Sequence, residues 1–108
     1  MVVGPPPFLS PAVRRAWDEA GIELQGPVSP SELGAALSNA RLDGAVIDLD
    51  YDAPALLSVV EVFDGMQIPA LFASAGRDIR GGFSFSTERE NINAIVFQLL
   101  GVDQTTLQ

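Results

Sequence analysis

The sequence predicts an α/β domain in which helices wrap both faces of a doubly wound parallel sheet, and three observations carry that reading. Short apolar runs alternate with helix-period segments along the whole of the 108-residue chain. The run at 45–47, Ala-Val-Ile, offers no solvated face, as a central strand covered on both sides requires. Capping signatures stand ahead of the helical segments, at Ser10-Pro11, at Ser29-Pro30-Ser31-Glu32, and at Thr87 with Glu90.

Val2 and Val3 open a short strand, which Gly4 and the three prolines after it stop because proline lacks the N–H a ladder needs. Ser10 then caps a first helix whose Leu9, Val13, Ala16, Trp17 and Ala20 share a face, and Gly21 ends it. Residues 22–25 alternate like a half-exposed edge strand before the Gly26-Pro27 turn. The second helix follows the Ser29 box, with Leu33, Ala36, Leu37 and Ala40 as its apolar stripe. After the strand at 45–47, Pro54 starts a third helix with Leu56, Val59, Val60 and Phe63 on one face and Gly65 as its end. Residues 68–73 read as another buried strand and 74–82 as a loop too rich in glycine for a useful helix. Residues 83–85 make a last short strand, and Ile92, Ile95, Val96, Leu99 and Leu100 line a final helix. The sum is five strands and four helices over residues 1–101, with 102–108 a polar tail.

What the chain lacks narrows its chemistry. It has no cysteine and no histidine, and its six basic residues are all arginine, so it has no lysine. That excludes disulfides, thiolate or imidazole zinc sites, Cys or His nucleophiles and lysine Schiff bases. A net charge of -8 opposes binding to phosphate backbones or anionic lipid, so neither nucleic acid nor a membrane is expected as a partner. No run is long enough to span a bilayer and no basic leader is visible, which makes a cytoplasmic protein the expectation.

The acidic residues nearest a productive place are Asp48, Asp50 and Asp52, which follow the central strand at a spacing of two. On extended backbone they would point the same way from its carboxyl end, the edge where ligands bind in open α/β sheets. Asp48 with Asp50 is a weak candidate metal pair, and the plainer reading of Asp48 is a carboxylate that caps a neighbouring loop or helix N-terminus. Gly76, Gly81 and Gly82 do not have the spacing of a phosphate-binding loop. A small ligand binder or hydrolase using the same edge has no base other than a carboxylate.

Val-Ile-Asp-Leu-Asp-Tyr at 46–51, Ile-Pro-Ala-Leu-Phe-Ala-Ser-Ala-Gly at 68–76 and Gly-Pro-Val-Ser-Pro-Ser-Glu-Leu at 26–33 resemble, in sequence and spacing, the receiver (response-regulator) domain of two-component signalling. The resemblance covers nearly the whole chain. It implies a flavodoxin-like fold with strand order 2-1-3-4-5, and it places Asp48 at the family's phosphoacceptor. Ser74 falls at the Thr/Ser that contacts the phosphoryl group and Phe83 at the aromatic coupled to it. The departures are equally specific. The family's Mg²⁺-binding acidic pair falls at Gly4 to Pro6, its lysine falls near Phe85, and the helix preceding its last strand is shortened or missing.

A transferred phosphoryl group needs positive charge around it, and here neither metal ligands nor lysine supply it. The expectation is therefore a stand-alone, non-enzymatic pseudo-receiver without a cofactor. It acts as a phosphorylation-independent interaction module in bacterial signalling, its partner being a histidine kinase, another regulator or a second copy of itself. Phe83, Phe85 and Phe97 are the expected interaction surface, laid bare by the missing helix. The alternative keeps Asp48 as a phosphoacceptor, with Ser74 and Phe83 as coupling residues and Mg²⁺ held weakly by Asp48 and Asp50.

Overall fold

A computed structural model of the chain describes residues 1–38, 41–75 and 83–101. Its strands are β1 (Val2–Val3), β2 (Ala45–Asp48), β3 (Ala70–Ser74) and β4 (Phe83–Ser84), and its α-helices are α1 (Pro11–Glu19), α2 (Leu33–Leu37), α3 (Ala53–Gly65) and α4 (Arg89–Leu100). The four strands form one all-parallel sheet in the order β1-β2-β3-β4. Val2 pairs with Val46, Ile47 with Phe72, and Ala73 with Phe83.

Strand alternation divides the core in two. Val2, Val46, Leu71 and Ala73 face α1 and α4, where they meet Val13, Trp17, Ile92, Ile95 and Val96. Val3, Ala45 and Ile47 face α2 and α3, where Leu33, Leu37, Val59 and Phe63 cover them. All four residues of β2 are buried, which is the central position its composition predicts. Among the described residues no helix is long and apolar enough to cross a membrane.

The local signals act with instructive exceptions. Ser10 Oγ accepts the Val13 N–H at 3.2 Å and Pro11 takes the first turn of α1, as expected. Glu32 accepts the Ser29 backbone N–H at 3.0 Å, but the box opens a single 3₁₀ turn, Pro30–Glu32, and only five residues of α2 follow among those described. The Thr87 cap is not formed. Glu88 takes the cap position of α4, and Ser86 Oγ receives its N–H at 3.2 Å and the Asn91 Nδ2 at 2.8 Å. α3 does end at Gly65, but the left-handed residue is Gln67 at φ 59°, where the Gln67 and Ile68 N–H groups close back on Asp64 and Phe63.

Residues 22–25 do not form the expected strand. The segment runs along the outer edge of β1 instead, with the Val2 N–H donating to Gln25 O at 2.7 Å and a lone parallel bridge between Val3 and Val28. Pro27 has no N–H to give, and Gly26 sits at φ +113°, so a continuous ladder is interrupted where it would have to propagate. Arg14 fastens the segment from the other side, its guanidinium donating to Leu24 O at 2.8 Å and Gly26 O at 2.6 Å. The strand expected at 68–73 is present but not wholly buried, because Phe72 on its α3 side stays 37% exposed. The expected loss of a helix between β3 and β4 falls on 76–82, outside the described residues.

Candidate functional site

The carboxyl edge of the sheet is formed by the ends of its four strands. β1 runs into Gly4 and Pro5, β2 ends on Asp48, β3 on Ser74, and β4 leads into Phe85. Asp48 lies on the same face of β2 as Val46, toward α1 and α4, and is 5% exposed. Its Oδ1 accepts the backbone N–H of Asp50 at 2.9 Å, turning the chain out of the strand. Burial raises the Asp48 carboxyl above its ordinary value; the Asp50 N–H opposes the rise and the Asp50 charge adds to it.

The three aspartates do not converge. Extended backbone stops at Asp48, so the spacing of two no longer sets direction, and Asp50 is exposed. Asp52 caps α3, its Oδ1 receiving the Ala55 N–H at 3.2 Å. Tyr51, half-buried, was not singled out by the sequence pattern. Its hydroxyl is pushed up first by burial and then by the charges of Asp48 and Glu32, so this corner is uniformly acidic. Among the described residues no group of three or more acidic side chains could hold a metal ion.

The other half of the edge is aromatic. Phe8, at the end of the 3₁₀ turn Pro6–Phe8, stacks on Phe85 with ring centroids 4.9 Å apart and planes at 19°. Trp17 of α1 closes on the same Phe85 ring at 5.4 Å. Gly4 makes room for this arrangement: a Cβ on it would stand 2.7 Å from a Phe8 ring carbon. A glycine followed by prolines and an aromatic was the signal available in the sequence, and its meaning required the partner strand.

The expected surface of Phe83, Phe85 and Phe97 is corrected by this geometry. Phe85 is 1% exposed and belongs to the core, and Phe83 packs half-buried against the same cluster. Only Phe97 remains outside, at 55% exposed on α4. Ser74 and Phe83 do lie close, since Ala73 pairs with Phe83 and the Phe85 N–H donates to Ser74 O at 2.9 Å. Comparison with protein-family models, with curated proteins and with solved structures found no match for the chain.

Proposed function

We propose that the chain is a cytoplasmic pseudo-receiver, a non-enzymatic module that works by contact with another protein rather than by accepting a phosphoryl group. In this reading the segment around Val28 is a fifth, edge strand reduced to a bridge, which gives the sheet the receiver order 2-1-3-4-5. One observation supports the proposal: Phe8 stacks on Phe85 with Gly4 beneath it, and the resemblance aligns Gly4 with the receiver's acidic pair and the neighbourhood of Phe85 with its lysine. An apolar plug stands where the chemistry demands charge.

The residues present do not fit Mg²⁺. That ion demands near-octahedral oxygen ligands, whereas Gly4 has no side chain to offer and, among the described residues, no three acidic side chains stand together with Asp48. A phosphoryl group would add about two negative charges beside Asp50 and Tyr51 with no lysine in the chain to meet them.

The phosphoaccepting alternative draws on one observation, that Asp48 ends β2 and Ser74 ends the neighbouring β3. The deciding experiment is incubation with acetyl phosphate and Mg²⁺ followed by intact-mass measurement. The expected spectrum is that of the unmodified chain; an adduct that disappears in Asp48→Asn would overturn the proposal. Calorimetric titration with Mg²⁺ or Mn²⁺ is expected to show no binding at millimolar metal.

The contact surface we propose is α4, with a second copy of the chain as its partner. From Asn91 to Leu100 the helix carries no charged residue in a chain of net charge -8, so two copies can meet there without like-charge repulsion. Phe97 and Leu100 stand exposed along it one turn apart.

A further inference from the structure

A cleft of about 390 Å³ opens at the amino edge of the sheet, opposite the end that holds Asp48. It lies between the carboxyl ends of α1 and α4, and Trp17, Leu24, Val46, Val96 and Leu99 form its apolar wall. Its volume falls within the range of small-molecule sites, roughly 300 to 1,000 Å³.

The second observation concerns hydrogen bonding. Trp17 is 2% exposed, and its indole N–H is buried without an acceptor among the described residues. An indole N–H in such a place ordinarily has a partner, and leaving it without one costs stability. Because Trp17 lines the cleft while its indole N–H is buried, an acceptor reaches that N–H only where binding shifts the wall.

We propose that this cleft binds a small, uncharged molecule with an apolar body and one hydrogen-bond acceptor, which completes the Trp17 N–H. The charge at the rim does not favour an anion. Glu23 and Asp43 face Arg41 and the Met1 amino group, whose pKa burial lowers to about 6, and the carboxyl ends of two helices add partial negative charge. The apolar part of the wall takes the body of such a ligand, while Glu23, Gln25, Arg41 and Asp43 leave the rest of the lining polar.

Trp17 is the only tryptophan in the chain, so its indole gives a single ¹H–¹⁵N cross-peak. Titration with acetophenone, which has a ring and a carbonyl acceptor, is expected to move that peak saturably at millimolar concentration, together with signals of Leu24, Val96 and Leu99. Ethylbenzene, of similar shape without the acceptor, is expected to bind about tenfold more weakly, and benzoate more weakly still. Leu99→Phe, which narrows the cleft, is expected to abolish the acetophenone shifts while the rest of the spectrum is kept. Absence of any saturable shift in the parent protein overturns the site. Equal binding of ethylbenzene overturns the role of the indole, equal binding of benzoate overturns the ligand class, and undiminished binding to a folded Leu99→Phe variant overturns the location.

Discussion

The rings of Phe8 and Phe85 lie in a near-parallel stack, 4.9 Å between centroids, although they follow strands at opposite ends of the sheet order. The contact ties the connection after β1 to the connection after β4 across the carboxyl edge of β2 and β3. It also makes Gly4 indispensable, because any side chain there would enter the Phe8 ring.

Phe85→Ala is therefore expected to cost about 3 to 5 kcal/mol, the usual range for emptying a buried aromatic site. A domain of ordinary stability loses a large part of its folding free energy by that change. Gly4→Asp, which would return a carboxylate to the receiver position, is expected to destabilise comparably. Denaturant unfolding followed by tryptophan fluorescence measures both. A Gly4→Asp variant as stable as the parent would mean that Phe8 moves aside freely and that the stack does not occlude the edge.

The buried carboxylate gives stability a direction with pH. Burial holds the Asp48 pKa above 3.8 in the fold. Between that value and the raised one the folded chain keeps a proton that the unfolded chain has released. Its contribution to stability is thus fully present below pH 3.8, falls as pH rises through the window and stays lost above it. Asp48→Asn removes the titration and leaves an amide oxygen able to accept the Asp50 N–H. The variant is expected to melt at or above the parent at pH 7, the difference shrinking as the pH falls through the window. Thermal melts across the acid range check this, and a variant clearly less stable at pH 7 would show that the charged form of Asp48 is held by a favourable partner.

Two glycines separate backbone need from habit. Gly26 sits at φ +113°, and a Cβ on it would lie 2.6 Å from Val2 O, the same carbonyl that accepts the Val28 N–H. Gly26→Ala is expected to cost at least about 2 kcal/mol and to loosen the segment that pairs with β1. Gly34 lies in α2 with open space around its Cα, so Gly34→Ala is expected to stabilise by roughly 0.5 to 1 kcal/mol through helix propensity and chain entropy. Parallel melts of the two variants, shifted in opposite directions, are the check.

These cases show where the sequence was legible. β2 and the apolar faces of α1 and α3 could be read directly, and so could that of α4 except for Leu100, which is 47% exposed, because burial on a fixed period leaves its mark in the order of residues. Choices between adjacent capping residues could not. Thr87 and Glu88 compete for one cap position, and Gly65 and Gln67 for one left-handed position, with outcomes set by how the next element packs. Of the candidate site, Asp48 at the end of β2 was legible from the run before it. That Asp52 would turn away to cap α3 depended on the strand stopping at Asp48, and the burial of Phe85 depended on Phe8, which lies 77 positions earlier in the chain. Arg14 lies off the apolar face of α1, and its guanidinium fastens the 22–28 segment because the Leu24 and Gly26 carbonyls come within its reach.

Phe97 isolates the surface term from the core. It is 55% exposed, while its helix neighbours Ile92, Ile95 and Val96 are buried, so replacing it leaves the packing of α4 intact. Phe97→Asp is expected to change monomer stability by no more than about 0.5 kcal/mol, as surface substitutions usually do. In a dimer built on α4 it places two new carboxylates against each other across an uncharged seam, and burying them unpaired weakens association steeply. Sedimentation equilibrium over a hundredfold concentration range is expected to show the parent shifting toward dimer as concentration rises and the variant remaining monomeric. Added salt separates the causes: it screens repulsion between exposed carboxylates, so salt restores a dimer in which residue 97 stays wet and fails to restore one in which it is buried. A parent protein that stays monomeric throughout removes the second copy as the partner of α4.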